Sequence, residues 1–269
     1  MYLLKDKVIV VTGGSSGIGK ALVDACLACG AKVAVCARNY PKLQQLFSDN
    51  AHLLCIKADV SIETDCTHFI NTVIDHWGKI DVLINNAGIS MRALFNDTSL
   101  MVLKELMDVN FYGAVYCTKF ALPHILKTKG VIVGVSSIAG FRGLPGRTGY
   151  SASKFALQGF LESLRTELLE TGVNVMWVSP GFTASNIRNV ARAANGTLQG
   201  ETPLDEKKLM SAEQCASIIM KAIEKRKRTV VMTSQGKLIV LINKLFPGIA
   251  DRLVFNHFVK EADSPLKKN

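Results

Sequence analysis

Tyr150 and Lys154 stand four residues apart at the start of a stretch with helical apolar spacing, so a helix there carries both on one face. A free phenol has a pKa of about 10 and is a poor base at neutral pH, but a neighbouring ammonium and a cationic ring nearby both favour the phenolate. The pair can therefore work as an acid/base. Ser137 lies thirteen residues earlier, at the end of the apolar run Val131–Val135. In a carbonyl reduction Tyr150 would donate a proton to the oxygen as hydride reaches the carbon, and Ser137 would hydrogen-bond that same oxygen. Tyr-x-x-x-Lys also occurs often by chance, so its meaning depends on the rest of the chain.

A second group with chemical content is Thr12-Gly13-Gly14-Ser15-Ser16-Gly17-Ile18-Gly19, directly after the run Val8–Val11 and before a helical pattern. Gly13 permits a tight turn, Gly17 lets backbone approach a pyrophosphate, and Gly19 lets helix and strand pack closely, with the helix dipole facing the anion. The spacing is G-x-x-x-G-x-G rather than G-x-G-x-x-G, and an ordinary strand-to-helix turn is the competing reading. The second apolar run ends Cys36-Ala37-Arg38. An NAD site would put Asp or Glu near Ala37 to hold the ribose 2′-hydroxyl, and that carboxylate is missing. Arg38 instead suits a 2′-phosphate, which favours NADP(H) over NAD(H); a solvated surface arginine is the alternative.

These residues need a scaffold, and the chain supplies one by alternation. Apolar β-branched runs at Val8–Val11, Lys32–Cys36, Leu53–Lys57, Val82–Ile84, Val131–Val135, Val173–Val178 and Thr229–Met232 are separated by helical patterns at about 17–29, 62–76, 99–128, 150–171 and 211–226. Strands apolar on both faces belong in a parallel sheet covered by helices on each side. The expectation is an α/β, Rossmann-type doubly wound sheet of seven parallel strands in the order 3-2-1-4-5-6-7. Residues 1–235 form one domain with a long substrate loop at about 182–209, and 236–269 form a basic amphipathic extension.

Composition agrees with a globular enzyme of this kind. Of 269 residues 48% are hydrophobic and 20% charged, which excludes a disordered chain. Seven cysteines, an odd number without a secretory leader, read as reduced and cytosolic. Cys26 and Cys29 form a C-x-x-C inside an apolar helical pattern and read as small buried hydrophobes. The five histidines are scattered, so no metal site is expected. Leu238–Ile242 is the longest apolar candidate for a span, far short of the roughly 20 residues a membrane requires. The first strand begins close to Met1, so no N-terminal anchor is expected and the protein is read as cytoplasmic.

Taken in order, the motifs resemble the short-chain dehydrogenase/reductase family over nearly the whole chain. The matching residues are Thr12 to Gly19, Asn85-Asn86-Ala87-Gly88 after the fourth strand, Asn110 in the long helix, Ser137 thirteen before Tyr150, Lys154, and Pro180-Gly181 after the sixth strand. The resemblance implies a catalytic tetrad of Asn110, Ser137, Tyr150 and Lys154, with Lys154 also holding the nicotinamide ribose and Asn110 positioning a proton-relay water. It implies cofactor contacts from Ser15, Ser16, Ile18, Val60, Ala87, Gly88, Pro180 and Gly181. It further implies that Asp59 binds the adenine amino group, Asn86 lines the cleft and Thr183 contacts the carboxamide. The family also leads one to expect a homodimer or homotetramer.

Phe141, Leu144 and Pro145 are apolar and close to the chemistry, which points to a hydrophobic ketone or alcohol. The tail resembles that of the lipid- and steroid-directed branch of the family. Leu238, Leu241, Ile242 and Leu245, then Leu253, Val254, Phe255 and Phe258, repeat at helical spacing between Lys237, Lys244, Arg252 and Lys260. Residues 236–260 thus suit either a peripheral membrane surface or packing on the core or a second subunit. Lys225–Arg228 reads as a solvated helix end, so no nucleic acid partner is expected. The other functions weighed are a 3-oxoacyl carrier protein reductase, against which the long tail counts, and a dinucleotide-sensing module, which has no need of Ser137, Tyr150 and Lys154.

Overall fold

In the computed structural model residues 4–47, 50–183, 187–200, 209–261 and 264–268 are described. Seven parallel strands, β1 (Val8–Thr12), β2 (Lys32–Ala37), β3 (Leu53–Lys57), β4 (Val82–Asn85), β5 (Val131–Val135), β6 (Asn174–Ser179) and β7 (Thr229–Val231), form one sheet. Their order is β3-β2-β1-β4-β5-β6-β7, as the alternation of runs predicts.

Successive strand residues feed two cores. Val8 and Val10 point to the face covered by α3 (Glu63–Trp77), α4 (Leu100–Met107), α5 (Gly113–Thr128) and α6 (Thr148–Glu167). Ile9 and Val11 point to the opposite face, covered by α1 (Gly17–Ala28), α2 (Tyr40–Leu46) and α7 (Ala212–Glu224). Both sets are fully buried, which is why the sequence shows unbroken apolar runs. Cys26 packs inside the second core with its sulfur 3.5 Å from that of Met220, and all seven cysteines are free thiols.

Two differences from the sequence reading have local causes. The helix expected over 99–128 contains a π-helical turn at Asp108–Tyr112, between α4 and α5. Helix α2 was not expected; it is seven residues long, carries Pro41 in its first turn, is capped by Asn39 and buries only Leu43, too little to set a period.

The extension folds as α8 (Ser234–Leu245) and α9 (Pro247–Val259), packed against each other. Ala250, Val254 and Phe258 are buried, while Leu238, Leu241, Leu245, Phe246, Ile249 and Leu253 are exposed. Asn243 Nδ2 donates to Phe141 O at 3.0 Å, Arg142 Nη1 donates to Asn243 Oδ1 at 3.0 Å, and Arg142 also pairs with Asp251. The tail is thus fastened to the segment after β5. Among the described residues no helix is long and apolar enough to cross a membrane.

Candidate active site

The strand order reverses between β1 and β4, so the chain leaves these neighbours in opposite directions and opens a crevice at their C-terminal ends. A cavity of about 380 Å³ lies there. Gly13, Ser15, Ser16, Gly17, Ile18 and Gly19 line one wall. Gly13 has φ +71°, and a Cβ on it would sit 2.8 Å from Ala87 Cα, so the first loop closes directly onto the backbone after β4. Thr12 Oγ1 accepts from the N–H groups of Asn86 and Ala87, both at 3.0 Å. Asn86 Nδ2 donates to Thr12 O at 2.9 Å and Gly13 O at 3.1 Å. Asn86, Ala87 and Gly88 all line the cavity, yet the Asn86 amide nitrogen works inward, holding the glycine loop in shape.

Ser16 caps α1 in an extended conformation without a side-chain bond to the helix, and the first turn carries no acidic residue. Its N–H groups therefore remain for an anion, and the glycine loop leaves room for a pyrophosphate beside them. The residues present fit a dinucleotide.

At the far end of the cavity, the β2–β3 register that pairs Ala37 with Lys57 sets Arg38 beside Asp59. Arg38 Nη1 is 3.8 Å from Asp59 Oδ2, and the arginine side chain is half exposed. The other Asp59 oxygen accepts from Ser61 N at 3.0 Å and Ser61 Oγ at 2.7 Å. Val60 is buried in the same wall, where a Cβ on Gly113 would meet it at 2.8 Å.

The other end holds the chemistry. Ser137 follows β5, accepts from Ala139 N at 3.2 Å, and lines the cavity together with Tyr150. Tyr150 sits in the first turn of α6, and Lys154 one turn on donates from Nζ to Val135 O at 2.9 Å. Lys154 Nζ lies 5.7 Å from the Tyr150 ring centre. Burial lowers the Lys154 pKa to about 8. Burial likewise raises the Tyr150 pKa above its ordinary value, and the neighbouring Ser137 hydroxyl and the charge of Arg147 oppose this. The sequence reading expects Lys154 as a cation that favours the phenolate; its ammonium stays beside the Tyr150 ring, and the charge of Arg147 acts in the same direction.

Pro180, Gly181 and Thr183 follow β6 and complete the wall. Thr183 is buried, bridges to Met210, donates from Oγ1 to Gly181 O at 3.2 Å, and accepts on its carbonyl from Arg188 Nη1 at 3.1 Å. The apolar side chains here are Leu144, Phe182, Ile187 and Val190. Of the long loop expected at 182–209, residues 184–186 and 201–208 lie outside the described residues.

Asn110 is the one member of the expected tetrad that does not line the cavity. It is buried in the π-helical turn, with Oδ1 accepting from Ile89 N at 2.8 Å and Nδ2 donating to Ile89 O at 2.9 Å and Ser153 Oγ at 2.9 Å. Ser153 in turn donates to Tyr150 O at 2.8 Å, which ties the turn to the start of α6. Sequence reasoning missed Arg147, Arg92 and Glu261. Arg147 lines the cavity, its Cζ 4.8 Å from the Phe258 ring centre and its Nη2 3.6 Å from Glu261 Oε2. Arg92 Nη2 reaches the same oxygen at 3.5 Å. No local pattern announces this group, because its members lie on three distant segments.

A doubly wound sheet with a glycine loop at its switch point and a Ser, Tyr and Lys beside it defines a dinucleotide-dependent oxidoreductase. The model of the family described as short chain dehydrogenase matches residues 7–196, and the chain belongs to that family. It is 34% identical to the mouse protein "Dehydrogenase/reductase SDR family member 7B", over 97% of this chain and 84% of the relative. It is 35% identical to "11-beta-hydroxysteroid dehydrogenase-like 2" of Arabidopsis thaliana, over 98% and 85%. A short chain dehydrogenase/reductase from Burkholderia phymatum, solved in complex with NAD, has the same fold, with TM-score 0.82, 22% identity and coverage of 93% and 96%.

Proposed function

We propose that the protein is an NADP(H)-dependent oxidoreductase that interconverts a ketone and a secondary alcohol on a hydrophobic, lipid- or steroid-like substrate. The observation that carries this reading is that Ser137, Tyr150 and Lys154 line the same cavity as the glycine loop. A bound nicotinamide dinucleotide supplies the hydride in reduction and takes it in oxidation. Tyr150 donates its phenolic proton to the carbonyl oxygen, and in the reverse direction accepts the alcohol proton. Ser137 hydrogen-bonds that oxygen as its negative charge develops. Lys154, fixed by Val135 O, is assigned to the nicotinamide ribose hydroxyls. Asn110, its amide bonded to Ile89 and Ser153, serves the proton-relay side through the backbone of its turn rather than through its side chain.

The dinucleotide contacts of this reading are those of the glycine loop, Arg38, Asp59, Val60, Asn86 to Gly88, Tyr150, Lys154, Pro180, Gly181 and Thr183. Arg38 supports NADP(H), since no carboxylate stands at the end of β2 to repel a 2′-phosphate. The apolar wall of Leu144, Phe182, Ile187 and Val190 supports the substrate class, in line with the steroid-dehydrogenase name of the plant relative. A homo-oligomer is supported by exposed Tyr112 in the π-helical turn and Phe155 on α6. The exposed apolar face of α8 and α9, bordered by exposed Lys237, Lys244, Arg252 and Lys260, supports a cytoplasmic protein held peripherally at an anionic membrane surface.

Replacing Tyr150 by Phe removes the proton donor and keeps the ring. NADPH oxidation with ketosteroids, 3-ketosphinganine, 3-oxoacyl thioesters and simple ketones then falls by at least about 100-fold on whichever substrate turns over, while NADPH binding by fluorescence is unchanged. Full turnover by the Phe variant overturns the mechanism.

A further inference from the structure

We propose that Arg147 is a specificity-determining residue that hydrogen-bonds a second oxygen of the substrate, so that the favoured ketone carries an ester- or thioester-type carbonyl close to the carbonyl that is reduced. The assignment rests on the reading of this cavity as the place where a ketone is reduced, and narrows its substrate class.

Arg147 immediately precedes α6, three residues before Tyr150, and lines the cavity together with Ser137, Leu144 and Tyr150. Its side chain is nine-tenths buried. A guanidinium in such a place is costly unless both its charge and its donors are met. The tail meets the charge, with the Phe258 ring centre 4.8 Å from Cζ and Glu261 Oε2 3.6 Å from Nη2. It leaves the donors unused. An approach of 3.6 Å is beyond hydrogen-bond length, and among the described residues no other oxygen accepts from the guanidinium. No Arg147 nitrogen is both sealed and unbonded, so the open donors face the space that the side chain lines.

A planar fork of N–H donors beside a catalytic tyrosine is a built receptor for oxygen. The rest of that wall, Leu144, Phe182, Ile187 and Val190, is apolar and suits the body of the substrate. A few polar groups converging in an apolar pocket fix how the ligand lies. Ser137 and Tyr150 take the reacting oxygen, and Arg147 takes the second one. The other cations of the cavity are engaged elsewhere. Lys154 donates to Val135 O, Arg38 faces Asp59, and Arg188 donates to Thr183 O.

The test compares an alkyl 3-oxoacyl ester with the plain ketone of the same chain length, each reduced with NADPH. What is read is the ratio of their kcat/KM values, ester over ketone. Its change between two proteins cancels the intrinsic reactivity of the compounds and any effect that falls on both alike. Arg147→Met keeps an apolar stem and removes the donors, and the ratio falls by about 10- to 100-fold, the loss of a charge-assisted hydrogen bond. Arg147→Lys keeps the charge opposite Glu261 without the planar fork, and the ratio falls by about 10-fold. The lysine variant decides alone if Arg147→Met does not fold. An unchanged ratio, with both substrates falling together, marks a structural role or an action through Tyr150 and overturns the proposal. Full reduction of both compounds by Tyr150→Phe overturns the acid/base reading and leaves the ratio where it was. A wild-type protein that reduces neither compound overturns the functional reading and this assignment with it, so the failures are distinguishable.

Discussion

Arg38 is a single side chain on which the choice between two cofactors turns. Its contact with Asp59 is one long approach at 3.8 Å with the arginine half exposed, and ion pairs of that kind contribute about 0–1 kcal/mol. A 2′-phosphate offers a guanidinium shorter and more numerous bonds, so the pair with Asp59 gives way on binding. Arg38→Ala is expected to weaken NADP(H) binding by about 10- to 100-fold, the loss of one or two charge-assisted hydrogen bonds, and to leave NAD(H) binding nearly unchanged. Equal NADP(H) affinities in the two proteins would remove the assignment. At this scale Arg38, Ser137, Tyr150 and Lys154 were legible because each carries its chemistry in its own type and local spacing. The environment of Tyr150 was not. The ammonium four residues away reads from the sequence as its partner, and the fold adds a second cation that no local pattern announces, Arg147, which lines the same cavity and is held by Glu261 near the other end of the chain.

Among the elements, the strands were the most legible and the helical junctions the least. Strands of three to six residues, the central ones buried on both faces, leave little freedom of register, and each expected run matches a strand to within one residue at either end. Helix α6 stops at Glu167, short of the expected 171, because the chain turns there and Gly172 adopts φ +79°. The π-helical turn reflects the Asn110 amide bonding across to Ile89, a partner that no periodicity encodes. The glycine loop shows how tightly one element can be bound to another. A methyl on Gly13 faces both a left-handed backbone and the Ala87 Cα at 2.8 Å. Gly13→Ala is therefore expected to destabilise the protein by about 1–3 kcal/mol in urea unfolding. It should also weaken dinucleotide binding, since Asn86 and Thr12 can no longer hold the loop against β4. Unchanged stability and affinity would mean that the loop has another way to close.

Over the whole molecule the net charge is +10, and residues 221–269 hold 11 Lys and Arg against 4 Asp and Glu, so most of the excess sits in the last fifth of the chain. Part of it is structural: Arg226 binds the backbone carbonyls of Lys129, Gly130 and Gly172, which makes the basic run after α7 a tie between loops rather than a free patch. The pattern of α8 and α9 left open whether the tail packs or presents a surface, and the fold does both. One side buries Ala250, Val254 and Phe258, and the other exposes Leu238, Leu241, Leu245, Ile249 and Leu253 at steps of three and four residues. Lys237, Lys244, Arg252 and Lys260 border that face and are exposed. Each basic side chain near an anionic surface contributes about 1 kcal/mol at low salt, and inserted leucines add an apolar share that salt does not screen. Sedimentation with phosphatidylserine-containing vesicles should then carry the protein down at low salt and partly release it at high salt. Replacing Lys237 and Lys244 together by Ala should weaken binding by about 30-fold, the equivalent of two such contributions. Vesicles of neutral lipid alone should retain little. If the protein stays in the supernatant at both salt concentrations, the leucine face is covered by a second copy of the chain instead, and its concentration-dependent dimerisation should weaken when Leu241 is replaced by Asp.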